Sequence, residues 1–289
     1  MQYALQVENL CKFYKNTEFK LDHVTFKIPR GCIMGFVGKN GAGKSTTINS
    51  ILNIIEKDSG DVKFFGRDMT DESTSIRENI AVVFDTVNFY EELTAKKLEK
   101  VLRDIYTNWD KELFFSYLEK FKIPTTKKIK TFSRGMTMKL SISVALSHKA
   151  RLLILDEATA GLDPVVREEI LDTFLEFVED ENNSILMSSH ISSDLEKVAD
   201  YITIIDDGKI ILTESKDALI YEYGIARMKQ NEFTKLEETE YIAYRQRGLQ
   251  IEVLVSNKRS FAKKYPNVIL DQASIDEILP LITKGEETK

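Results

Sequence analysis

Gly38-Lys39-Asn40-Gly41-Ala42-Gly43-Lys44-Ser45-Thr46 decides the fold class. It fits the phosphate-loop pattern at every fixed position. A short apolar run, Ile33-Met34-Gly35-Phe36-Val37, precedes it, and a helical stretch from Lys44 to about Ile55 follows. Strand, glycine-rich loop and helix form the setting such a loop needs. Glycines let backbone amides turn inward around an anion with no side chain in the way. The following helix presents the positive end of its dipole to the same anion. Asn40, Gly41, Gly43 and Thr46 are therefore expected at the phosphates. Lys44 is expected to reach the β and γ phosphates. The Ser45 hydroxyl is expected to face Mg²⁺, a hard cation that takes oxygen ligands.

Further along, Leu152-Leu153-Ile154-Leu155 reads as a buried strand that ends in Asp156-Glu157. A parallel strand delivers its last residues to the ligand crevice. Asp156 is expected to hold Mg²⁺ through water, and Glu157 to act as general base or orienter of the attacking water. Phosphoryl transfer asks little more of a protein than positioning and charge neutralisation. Alone, an Asp-Glu pair at a strand end is more often a solvated terminus. The phosphate loop upstream reverses that balance.

Around these two segments the chain reads as a mixed α/β protein. Tyr3 to Val7 and Val24 to Ile28 alternate as half-buried strands, and Pro29-Arg30-Gly31 makes a turn. Phe89 to Ala150 is helix-rich, with Leu113, Tyr117, Leu118 and Phe121 at helical spacing. Asp163-Pro164 predicts a helix start with Val166, Ile170, Leu171, Phe174 and Val178 on its inner face. Ile185-Leu186-Met187 predicts a third buried strand, and Ser193 with Glu196 a capping box for the next helix. Ile202-Thr203-Ile204-Ile205 and Lys209-Ile210-Ile211-Leu212 flank Asp207-Gly208, a hairpin signal. After about Thr213 a charged helical segment is expected, then a strand over Gln250 to Val255 and a helix over Ser274 to Ile282. The division is a main domain over 1–213, with a helical subdomain at about 89–150, and a small α/β appendage over 214–289.

Bulk properties narrow the function. The 289 residues suffice for one large domain and a small one. The net charge of −6 speaks against the basic stripe of a dedicated nucleic-acid binder. Cys11 and Cys32 make no CxxC pair and suggest no disulfide framework, which fits a cytoplasmic setting. The three histidines show no zinc-ligand spacing. Met1-Gln2-Tyr3-Ala4 does not begin a secretory signal. No apolar run approaches the ~20 residues of a membrane-spanning helix, so any membrane must be crossed by another chain.

With further motifs in order, residues 2 to 213 closely resemble the ABC ATPase family. Phe132-Ser133-Arg134-Gly135-Met136 stands where the family has its Leu-Ser-Gly-Gly-Gln signature. Gly161-Leu162-Asp163 looks like the D-loop, and Ser189-His190 like the switch-histidine loop. Tyr14 stands where the family stacks an aromatic ring on adenine, although neighbouring Phe13 also offers a face. The resemblance implies a P-loop NTPase fold of ABC ATPase type, with a mostly parallel core sheet, an antiparallel β subdomain and a helical subdomain. It implies ATP and Mg²⁺ as cofactors. His190 would hydrogen-bond the γ phosphate or the attacking water. Ser133 and Gly135 would contact the γ phosphate of ATP on a second ATPase subunit, and Asp163 would reach across the same interface. Two-fold pairing, homo- or heterodimeric, would then give two composite sites. A transmembrane permease would be the other partner, holding this chain at the inner face of the cell membrane.

Departures from the family pattern are visible. The signature carries Arg134 and Met136 where Gly and Gln are usual. Asp85 stands at the Q-loop glutamine position and, being charged, could bind Mg²⁺ or water. The Ser-Arg-Gly-Met variant and the appendage resemble a subgroup of bacterial exporters of antimicrobial peptides, drugs and cytolytic peptides. Bacitracin-resistance and phenol-soluble-modulin exporters belong to it. Residues from Asn88 to Thr94 would then line the groove for a permease helix, or simply pack internally. The alternative reading is a soluble ABC protein acting on nucleic acid or ribosomes. Such factors usually carry two ATPase halves or a long coiled coil, and neither is seen. A GTPase is disfavoured because Asn257-Lys258-Arg259-Ser260 lacks the closing Asp of a guanine-reading element.

Overall fold

Two long strands open the chain, β1 (Tyr3–Phe13) and β2 (Lys20–Pro29). Then come β3 (Ile33–Val37), helix α1 (Lys44–Ile51), β4 (Ser59–Phe64), β5 (Arg67–Asp68), α2 (Thr74–Arg77) and β6 (Ile80–Phe84). A helical lobe follows, with α3 (Ala95–Ile105), α4 (Lys111–Lys120) and α5 (Arg134–Leu146). The chain returns through β7 (Leu152–Asp156), α6 (Pro164–Val178), β8 (Ser184–Ser189), α7 (Ser192–Val198), β9 (Tyr201–Asp206) and β10 (Lys209–Ser215). The C-terminal part holds α8 (Lys216–Tyr221), β11 (Gly224–Met228), α9 (Gln230–Phe233), β12 (Ala243–Arg247) and β13 (Gln250–Val255). It ends with α10 (Lys258–Lys264), β14 (Ile269–Gln272), α11 (Ile275–Lys284) and β15 (Glu286–Glu287). The structure, a computed structural model, describes residues 2–15, 17, 19–69, 74–86, 89–284 and 286–287. Met1 and Asn88, which two of the expectations above involve, lie outside them.

Six strands form the central sheet in the order β10-β9-β3-β8-β7-β6. All neighbours are parallel except the β9–β10 hairpin at one edge. Every residue of β3, β7 and β8 is buried, as parallel strands covered on both faces must be. Side chains alternate between two cores. Met34, Phe36, Leu152, Ile154 and Leu186 pack against Leu5, Val7, Phe26 and Ile28 of the antiparallel sheet β2-β1-β4-β5. Ile33, Val37, Leu153, Leu155, Ile185 and Met187 face the helices. Truncating a side chain as buried as Phe36 costs about 3–5 kcal/mol, enough to threaten the fold.

Register carries this pattern to the site. Val37 lies opposite Ser189, and Asp156 lies opposite both Ser188 and Phe84. Four strands thus release the glycine loop, Asp85, Glu157 and His190 from one edge of the sheet. At the neighbouring hairpin, Asp207 and Gly208 both have positive φ (44° and 72°), as the turn between β9 and β10 requires. A Cβ on Gly208 would collide with the Lys20 carbonyl, because the turn is wedged against β2. The Gly208 N–H donates to the Ala42 carbonyl at 2.9 Å, which ties the turn to the glycine loop.

Helix starts follow local chemistry where it is strong. Asp163 caps α6, accepting from the N–H groups of Val165 (3.1 Å) and Val166 (3.0 Å), with Pro164 as its first residue. Ile170, Leu171, Thr173 and Phe174 are its buried residues, while Val166 and Val178 are half-buried. In α4 the deepest residues are Phe114 and Leu118. The chain's one tryptophan, Trp109, stands just before α4, between Tyr106 (6.1 Å, stacked) and Phe114 (5.2 Å).

Three local expectations are corrected. Helix α1 ends at Ile51, four residues early. The Ser193–Glu196 capping box does not form: α7 begins at Ser192 with Ile191 as an uncapped N-cap. The Glu196 carboxylate instead accepts the Ile275 N–H at 2.8 Å and so holds the start of α11. The charged segment after Thr213 is not one helix. β10 runs on to Ser215, Ser215 caps α8, and β11 intervenes before α9. The expected boundary at Thr213 therefore falls inside a strand.

The C-terminal sheet, β14-β11-β13-β12-β15, is antiparallel. Ile225 and Leu254 face the main core, whereas Ala226, Met228, Ile251 and Val253 build a small core of their own. On the Leu254 face, Glu252 is nearly buried among Arg227, Arg245 and Arg247. Burial alone would push its carboxyl up; the three guanidinium groups outweigh this and hold it below the usual carboxylate value.

Candidate active site at the carboxyl edge of the sheet

The glycine loop wraps around its own lysine. Lys44 Nζ donates to the carbonyls of Gly38 (2.8 Å) and Lys39 (3.4 Å) and lies 3.3 Å from Glu157 Oε1. Its side chain is only 6% exposed, so the ammonium is held where an anion would meet it. Gly41 and Gly43 take φ of 84° and 114°, which side-chain-bearing residues rarely adopt. Nothing lies within 4 Å of a Cβ built on Gly41, so the loop is open on that side. Thr47 anchors the first turn of α1, its hydroxyl and its N–H both donating to the Gly43 carbonyl at 2.8 Å.

A cavity of about 600 Å³ opens above the loop. Asn40, Gly41, Gly43, Lys44, Ser45 and Thr46 form one wall, and Asp85, Glu157, Ala160 and His190 another. Glu157 Oε2 meets Nδ1 of His190 at 2.6 Å and the His190 N–H at 3.3 Å. Glu157 itself has a positive φ of 55°, a costly conformation for a non-glycine residue. Ser188 supports it: the Glu157 N–H donates to the Ser188 carbonyl (3.2 Å) and to its Oγ (3.1 Å). That same hydroxyl donates to Asp156 Oδ1 at 2.6 Å. One serine thus holds the Asp156 carboxylate and the Glu157 backbone, and the sequence reading passed over it. The signal available was its place two residues before His190.

Among the described residues, the aromatic ring in the cavity wall is Phe19. Tyr14, expected to stack on a base, stands one ring behind it, 6.4 Å away between centroids, with Lys12 over its face. Phe13 is half exposed and outside the cavity. Phe19 escaped the reading because it follows a short polar stretch and belongs to no motif.

Ser133, Gly135 and Asp163 do not line this cavity. Ser133 caps α5, its Oγ accepting the Met136 N–H at 3.3 Å, and Ser133 and Arg134 are exposed at that helix start. Asp163 caps α6 nearby. Asp85 lines the cavity, yet one of its oxygens is already held by the Arg134 guanidinium. Two of the three side chains that depart from the usual pattern are therefore bonded to each other.

The site fits a magnesium nucleoside triphosphate. A buried ammonium, an open glycine loop at a helix start and the Ser45 hydroxyl in the cavity wall are groups that such a ligand needs; Asp156 is buried outside that wall, with one oxygen held by Ser188. A family model described as ABC transporter matches residues 21–160. The chain is 34% identical over 213 residues to the bacitracin transport ATP-binding protein BcrA of Bacillus licheniformis, covering 73% of this chain and 69% of that one. The chain belongs to the ABC transporter family. It is an ATP-hydrolysing, ATP-binding subunit of that family. The lantibiotic transport ATP-binding protein SrtF of Streptococcus pyogenes is 34% identical over 215 residues, 74% of this chain and 91% of that one. Among solved structures, an ATP binding subunit of an ABC transporter superposes with a TM-score of 0.68 at 28% identity, covering 75% of this chain and 91% of that one. Neither relative bears a name that speaks for the nucleic-acid alternative. The guanine-reading candidate is also spent: the Asn257 side chain of this ABC ATPase caps α10, accepting the Ser260 N–H at 3.0 Å. No helix among the described residues is long and apolar enough to cross a membrane.

Proposed function

We propose that this chain binds MgATP in the Lys44–Glu157–His190 cavity and hydrolyses it when paired with a second ATPase subunit. The contact of Glu157 with both Lys44 and His190 carries the reading. Lys44 neutralises charge on the β and γ phosphates, and the Asn40–Thr46 loop amides surround them. Ser45 and Asp156 would hold Mg²⁺, whose chemistry is to neutralise charge on the phosphate oxygens. Glu157 takes or orients the proton of the attacking water, and His190 keeps its carboxylate aimed at that water. Ser133 and Gly135 offer a hydroxyl and free amides to the γ phosphate of the second subunit, and Asp163 meets that subunit's loop.

The membrane partner is a permease, which would hold this chain at the inner face of the cell membrane. The transported class is peptide-like or antimicrobial compounds, supported by the bacitracin and lantibiotic names of the two relatives. The decisive test is the purified chain with MgATP. Glu157→Gln should still bind nucleotide and dimerise, but turn over at least about a hundredfold more slowly. Wild-type turnover in that variant would remove Glu157 from its role, and a monomer in every nucleotide state would overturn the two-subunit reading. For transport, antimicrobial peptides should stimulate ATPase activity of the chain joined to its permease; indifference to all of them would count against peptide export.

A further inference from the structure

Arg134 is the first residue of α5, directly after the Ser133 cap. A cation at a helix N-terminus is electrostatically unfavourable, because the dipole there favours anions. Its placement therefore calls for a compensating partner, and Asp85 is that partner: Arg134 Nη2 donates to Asp85 Oδ1. The other side of the same guanidinium lies on Gly161. A Cβ at Gly161 would come within 3.2 Å of Cζ and 3.3 Å of Nη1. Both members of the pair are about half exposed, 54% and 50%, so the bond adds little to stability. What it does is geometric. One side chain, rooted in the Ser133–Gly135 turn, reaches both Asp85 in the wall of the ATP cavity and Gly161.

We propose that Arg134 is a positioning residue for hydrolysis, and that Asp85 acts through Arg134 rather than as a Mg²⁺ ligand. The pair fixes the Ser133–Gly135 turn relative to the chain's own ATP cavity and to the Gly161 turn. Lysine could not replace it, because a point charge on a flexible stem cannot pair with Asp85 and lie flat on Gly161 together. The inference rests on the reading that Ser133 and Gly135 serve a second subunit's ATP.

A double-mutant cycle tests it, with Asp85→Asn, Arg134→Gln and the two combined, each on the full chain. Each single variant should lower kcat about tenfold while nucleotide affinity and melting temperature stay near wild type. The double variant should be no slower than either single one, since both remove the same link. Arg134→Lys should remain slow. Full additivity, about a hundredfold loss in the double variant, would overturn the proposal. So would an Asp85→Asn variant whose Mg²⁺ requirement rises when that of Arg134→Gln does not, because Asp85 would then be a metal ligand. Ser133→Ala separates the two levels. If it is slow while Arg134→Gln matches wild type, only the positioning role fails. If Ser133→Ala matches wild type, the reading of the signature turn fails and takes this inference with it.

Discussion

Glu157 is gripped twice by His190: its Oε2 lies 2.6 Å from the ring Nδ1 and 3.3 Å from the backbone nitrogen of the same residue. Its other oxygen faces Lys44 at 3.3 Å. His190→Ala removes the ring and leaves the amide. We expect kcat to fall about a hundredfold with little change in KM for ATP. If the ring works through Glu157, His190→Ala combined with Glu157→Gln should be no slower than Glu157→Gln alone. Steady-state ATPase assays of the three variants decide it.

Phe19 rather than Tyr14 offers its ring to the cavity. Stacking of a base on an aromatic ring is worth about 1–3 kcal/mol. Phe19→Ala should therefore raise the dissociation constant for ATP by about tenfold, and Tyr14→Ala by much less. Titration with a fluorescent nucleotide checks both; a larger effect from Tyr14→Ala would restore that residue as the stacking partner.

Ser188 holds Asp156 and Glu157 with one hydroxyl. Ser188→Ala leaves Asp156 without its donor and Glu157, with its positive φ, less supported. The Mg²⁺ concentration for half-maximal activity should rise several-fold, and melting should fall by about 1 kcal/mol of stability. An unchanged Mg²⁺ requirement would separate Asp156 from the metal.

His148 is 2% exposed, stacked on Tyr106 at 4.3 Å, with its ring nitrogens near the carbonyls of Ile80 and Val144. Burial pushes its pKa down, and the two carbonyls oppose this only partly. The folded protein thus disfavours the proton that the unfolded chain accepts. Stability should be full above the unfolded value of about 6.5 and should decline as pH falls below it, until the folded ring also protonates. Urea unfolding at pH 7.5 and pH 5.5 should show this decline in the wild type and a smaller one in His148→Gln.

Gly208 stands at positive φ with no room for a methyl group against Lys20. Gly208→Ala should cost about 3 kcal/mol. Because the Gly208 N–H also holds the Ala42 carbonyl, ATP binding should weaken with it, measurable by calorimetry at a temperature where the variant is folded.

Much of the architecture was legible because its signals are local. Runs of apolar residues marked β3, β7 and β8, Asp207-Gly208 marked the hairpin, and Asp163-Pro164 marked the start of α6. The phosphate loop was readable for the same reason, whereas Glu157 was singled out only because that loop lies upstream and His190 only through the family resemblance; parallel register brings all three to one edge. What stayed hidden depends on contacts distant in sequence. Glu196 looked like half of a capping box but bonds the backbone 79 residues away. Arg134 and Asp85 looked like two separate anomalies, 49 residues apart, and are one ion pair. Phe19 carries no motif and gains its place only in the folded cavity; Ser188 gains its role only through bonds to Asp156 and Glu157 at the end of the neighbouring strand.

The lone tryptophan sits in the helical lobe, packed between Tyr106 and Phe114. Its emission is therefore a built-in optical probe of that lobe and is blind to the C-terminal sheet. A shift in indole fluorescence on adding nucleotide would report rearrangement of the aromatic cluster without any attached dye. Fluorescence and circular dichroism melts that fail to coincide would reveal that the lobe and the remainder come apart in separate steps.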